Sequence, residues 1–135
     1  MGRTAPGLTW EILQPEQLMV SYYDGEGVHD RWDACVRLLH DLRSQPHTRF
    51  LVYQQQQPPL SVVTRLTEAV RGGRWRVSIV SPSAAMRFVA SSFSLIVKDV
   101  RFFAPEALDA ALDHLNCKPA EKGRVTACLE RLRTA

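Results

Sequence analysis

Hydrophobic positions along the chain change period several times, and each change marks an element. Trp10 to Leu13 is a short run containing apolar residues, Pro15 to Gln17 reads as a turn, and Leu18 to Tyr23 favours a strand closed by Asp24-Gly25. This pattern predicts two strands joined by a tight connection. From Val28 the spacing becomes three and four: Val28, Trp32, Cys35, Val36, Leu39 and Leu42 form the stripe of an amphipathic helix, which Pro46 stops. Phe50 to Tyr53 is a continuous apolar run, as expected of a strand buried on both faces. A second helix carries Val62, Val63, Leu66, Ala69 and Val70 on one side and ends at Gly72-Gly73. Trp75 to Val80 alternates, with Trp75, Val77 and Ile79 pointing one way. Ser81-Pro82-Ser83 suits a helix start, because a serine oxygen can cap and proline fits the first turn.

The third helix is predicted with Ala85, Phe88, Val89, Ser92, Phe93 and Ile96 as its apolar side. Val100 to Phe103 follows as a last strand, and Ala104-Pro105 opens a helix striped by Ala107, Leu108, Ala111, Leu112 and Leu115. A final short helix carries Val125, Cys128, Leu129 and Leu132 on one side. Strands alternating with helices of this length predict a single α/β domain with a mixed sheet of four to five strands, in the order ββαβαβαβα plus a C-terminal helix. Residues 1–9 are expected to be a tail, 10–115 the domain, and 116–135 a helical extension packed on or beside it.

Composition agrees with a folded domain. The 135 residues are 45% hydrophobic and 23% charged, which excludes disordered and disulfide-scaffold classes, and the length is right for one domain. No leader pattern or membrane-length apolar run is present, so a cytoplasmic protein without a membrane partner is expected. Arginine outnumbers lysine 14 to 3, which suggests a GC-rich bacterial genome.

Cys35, Cys117 and Cys128 form an odd set without C-x-x-C spacing and read as reduced thiols, Cys35 being a small hydrophobe on a buried stripe. The doublets His29-Asp30 and His40-Asp41 resemble those of metal phosphohydrolases. Eleven residues of helix, however, separate the two histidines by about 16 Å, and His47 and His114 add no chelating spacing. No metal or other cofactor is expected, and no phosphate loop or nucleophile elbow is found. Arg65, Arg71, Arg74, Arg76 and Arg87 surround Trp75, a grouping that can bind single strands by charge and stacking. The net charge of only +3 and the core-facing phase of Trp75 argue against nucleic acid.

The order of elements resembles that of the STAS domain, the family of anti-sigma-factor antagonists. The resemblance rests on the paired strands Trp10 to Leu13 and Leu18 to Tyr23, the runs Phe50 to Tyr53 and Val77 to Val80, and the closing segment Val100 to Leu112. It implies a non-catalytic, regulatory domain whose partner is another protein; self-association is left open. It also places the contact surface at the end of the sheet near Gln57, Leu60, Ser61 and Val63, with Ser83 beside it. Family members that switch partners carry an acid, serines and a glycine at the start of the helix after the third strand. Here Gln57-Pro58-Pro59-Leu60-Ser61-Val62 offers one serine, no acid and no glycine. Ser61 is therefore the one candidate phosphosite, and its plainer role is to cap the helix. The alternative function is binding of a small apolar or lipid-like ligand between the sheet and Phe88 and Phe93, which requires a cleft of about 300 Å³ or more.

Overall fold

Five strands form one sheet in the sequential order β1 to β5: Leu8–Leu13, Leu18–Tyr23, Thr48–Gln54, Trp75–Val80 and Asp99–Phe103. β1 runs antiparallel to β2, and the remaining neighbours are parallel. Helices α1 (His29–Leu42), α2 (Leu60–Val70) and α3 (Ala84–Ser94) link the parallel strands. Crossovers of one hand, each to the next strand, place these helices on the same face. After β5, a short 3-10 turn at Pro105–Ala107 leads to α4 (Leu108–His114) and α5 (Pro119–Thr134), which cover the opposite face. The computed structural model describes residues 7–14, 17–25, 29–42, 48–95, 97 and 99–134. Val28, Pro46, His47 and Ile96, with Pro15 and Gly27, lie outside the described residues.

The strand period of two divides the core into two layers. Met19 and Tyr23 of β2, Phe50 and Val52 of β3, and Trp75, Val77 and Ile79 of β4 join the layer under α1, α2 and α3. Leu18, Val20, Tyr22, Leu51, Tyr53 and Val80 face α4 and α5. The continuous apolar run of β3 is thus explained by burial on both sides.

The segment after residue 115 is integral to the fold, because α5 packs on β2 and β1 and supplies Val125, Cys128, Leu129 and Leu132 to the second layer. Pro119 occupies the first turn of α5, and the Glu121 carboxylate reaches back to accept the Lys118 backbone N–H at 3.0 Å. That is the glutamate half of a capping box, with proline at the first helical position. The short α4 ends with its carbonyls satisfied from the sheet and the turn. Ser78 Oγ donates to Ala111 O (2.7 Å) and Arg76 Nη1 to His114 O (3.3 Å), while Cys117 and Asn116 backbone N–H groups donate to Leu112 O and Asp113 O.

Three sequence expectations need correction. β1 begins at Leu8, which is 2% exposed, so Leu8 and Thr9 belong to the sheet and not to a tail. In α3 the buried stripe is Met86, Val89, Ala90 and Phe93, continuing to Val97. Ala85, Phe88 and Ser92 face outward, since the i, i+3, i+4, i+7 rows starting at Met86 turn Phe88 away from the sheet. Neither Ser61 nor Ser83 caps with its side chain. Pro59 holds the N-cap position of α2, and Ser83 N–H instead donates to Ser81 Oγ at 3.0 Å.

Candidate functional site

Because β2 to β5 are parallel, the loops after β2, β3 and β4 emerge along one edge of the sheet. Tyr53 pairs with Val80, so the chain leaves β3 and β4 side by side, toward Gln57 and toward Ser83 respectively. Gln55 N–H donates to Tyr23 O (2.8 Å), and its side-chain amide lies 3.4 Å from the Tyr22 hydroxyl. Gly25 has φ +102°, and a Cβ there would meet the Gln56 amide carbon at 2.7 Å. The exposed Gln56 side chain can swing aside, so it is the positive φ that calls for glycine here. The polar tract Gln54 to Gln57 is therefore a structured wall of the edge.

Of the contact residues expected from sequence, Leu60 (73% exposed) and Ser61 stand in solvent at the first turn of α2. Gln57 and Ser83 are half-buried, and Val63 faces inward far enough to line a cavity under the helix. The segments after β3 and β4 are uncharged, with no Asp, Glu, Lys, Arg or His from Gln54 to Thr64 or from Val77 to Met86, while the loop after β2 brings Asp24 to the same edge. Two further large apolar side chains, Phe88 (77%) and Leu95 (88%), are exposed on and just beyond α3. Sequence reading missed both as surface residues. The signal was available in Met86 and Val97, which fit the buried stripe better than Ala85 and Ile96.

Among the described residues, the reactive groups do not assemble, and no group of three His, Cys, Asp or Glu side chains could hold a metal. His40 is exposed, and His114 Nε2 lies 3.1 Å from Asp99 O. All three cysteines are free and buried. Burial pushes the Cys35 thiol up to about 12. Burial, helped by the Glu11 carboxylate that accepts from Sγ at 2.9 Å, pushes Cys128 to about 12 as well. Cys117 is also raised by burial. None is poised as a thiolate nucleophile at neutral pH. In the arginine group, Arg65 pairs with Asp33, Arg71 with Glu68 and Arg76 with Asp99, while Arg87 lies over the Phe102 ring. Trp75 is 4% exposed and offers no face to a base.

The cavity between the sheet and α1, α2 and α3 has a volume of about 60 Å³. Phe93 lines it but Phe88 does not, and its size falls well short of the roughly 300 Å³ of a small-molecule cleft. No described helix is long and apolar enough to cross a membrane. Comparison with protein-family models, with curated proteins and with solved structures finds no match to this chain.

Proposed function

We propose that this chain is a non-catalytic protein–protein interaction domain that docks its partner at the carboxyl edge of the sheet, around the first turn of α2. The observation that carries the reading is Leu60, a large apolar side chain 73% exposed within a stretch, Gln54 to Thr64, that has no charged residue. Interface cores are depleted of charge and are anchored by a few buried apolar side chains. The STAS resemblance supports a regulatory role of this kind, and the absence of the acid-serine-glycine pattern argues for contact without a phosphoswitch.

Site-specific photocrosslinking in the native host tests the proposal. A photoreactive residue at Leu60 is expected to give one discrete adduct with another protein, whereas one at Thr126, exposed on α5, gives none. Leu60→Glu should weaken binding of the purified partner at least tenfold, about 1.4 kcal/mol. Equal crosslinking from both positions, or none from Leu60, refutes the reading. With the partner in hand, Ser61→Asp and Ser61→Ala are expected to bind within a few-fold of each other. A tenfold gap between them would establish a charge-operated switch at Ser61.

A further inference from the structure

Two polar atoms inside the first core layer have no hydrogen-bond partner among the described residues: the indole N–H of Trp32 and the side-chain carbonyl of Gln54. Trp32 is 3% and Gln54 6% exposed. Both residues line the cavity under α1, α2 and α3, and Ser21 lines it with them. One orphan is a donor and the other an acceptor, and burial penalises each if it is left unpaired. A hydroxyl meets both needs at once, since its oxygen accepts and its proton is donated. The remaining wall is apolar, with Val52, Val70, Val77 and Ile79, and no charged side chain lines the cavity. An ion would therefore sit there without a counter-charge, which burial penalises heavily. The volume of about 60 Å³ exceeds the roughly 10 to 15 Å³ that a single water requires.

We infer that Trp32 and Gln54 form a buried hydroxyl-binding site, with Trp32 Nε1–H donating to the hydroxyl oxygen and the hydroxyl donating to Gln54 Oε1. The hydroxyl comes from an internal water or from a two-carbon alcohol, and these share the same chemistry. The site lies inside the core behind the docking edge, and its test reads the indole proton and not partner binding, so the two proposals are judged separately.

The test is NMR on the full-length 15N-labelled protein, read at the Trp32 indole proton and assigned by its loss in Trp32→Phe. Ser21→Ala serves as the background, because the serine hydroxyl proton exchanges with solvent and would relay magnetisation. A cross-peak from water to the indole proton identifies water as the occupant. A saturable shift of that proton on titration with ethanol identifies an alcohol site. Either signal should be lost in Gln54→Leu, and its survival in a folded Gln54→Leu protein overturns the assignment. The measurement before substitution at Gln54 also decides alone. An indole proton with no water cross-peak that responds only to xenon, or to none of the three, marks a dry apolar void and overturns the proposal.

Discussion

Gly72 and Gly73 end the same helix, yet the structure assigns them different physical roles, and the difference can be measured. Gly72 has φ +82° with open space around its missing Cβ. Alanine there meets only the conformational cost of a left-handed residue, about 1 kcal/mol. Gly73 lacks a positive φ, but a Cβ would lie 2.9 Å from Cε2 and 3.0 Å from Cδ1 of Trp75, and closer still to its Nε1. That indole is 4% exposed and donates to Val70 O at 2.9 Å, closing the end of α2. Gly73→Ala must displace it. Stranding the donor costs about 2 kcal/mol, and repacking a crowded ring about 2 more. Reduced freedom of the unfolded chain returns roughly 0.7, leaving a net loss of about 3 kcal/mol.

Urea denaturation followed by far-ultraviolet circular dichroism reads this directly. At an m of about 2 kcal/mol/M, a 3 kcal/mol loss lowers the midpoint by about 1.5 M. The mechanism is isolated by a double-mutant cycle with Trp75→Phe, whose smaller ring lacks the N–H. In that background Gly73→Ala should cost only about 1 kcal/mol, a coupling of about 2 kcal/mol. A coupling below about 0.5 kcal/mol, or a Gly73→Ala loss no larger than that of Gly72→Ala, refutes the steric account.

Trp32→Ala should cost about 3 to 5 kcal/mol in the same assay, because its ring is 3% exposed and meets Tyr23 edge-on with centroids 5.0 Å apart; a loss below 1 kcal/mol would place the ring outside the core. Hydrogen bonding from Cys128, then from Arg131, holds the Glu11 carboxyl below its usual range. Its stabilisation is therefore present above the unfolded pKa of about 4.3 and is lost as pH falls through the lower folded value. Glu11→Gln should accordingly lower the urea midpoint at pH 6 by an amount that shrinks as the pH is taken down through the folded value, and a deficit independent of pH would sink the assignment. Iodoacetamide at pH 8 should label none of Cys35, Cys117 and Cys128 in the folded protein and all three in urea, as counted by mass spectrometry, since all are buried with raised pKa values. Rapid labelling of any thiol in the native state would contradict its burial.

Periodicity alone determined where elements lie and how strands alternate. A hydrophobic run such as Phe50 to Tyr53 already implied a strand buried on both faces; that α1, α2 and α3 cover one side and α4 and α5 the other came from the structure. Periodicity also implied a buried Trp32 and Cys35, because their spacing with Leu39 and Leu42 leaves one face for the core. What it could not decide was long-range placement. Both Ala85-Phe88-Ser92 and Met86-Val89-Phe93 are acceptable helical rows. The choice between them was made by how α3 rolls against β5, which exposed Phe88 and Leu95. On α2 the stripe of Val62, Val63 and Leu66 already set Val63 inward and left Leu60 outside it; only the tertiary structure showed that Val63 borders a cavity. The orphaned Trp32 and Gln54 were invisible for the same reason. A hydrogen-bond deficit is a property of two distant residues brought into one enclosed space, and no local pattern encodes it.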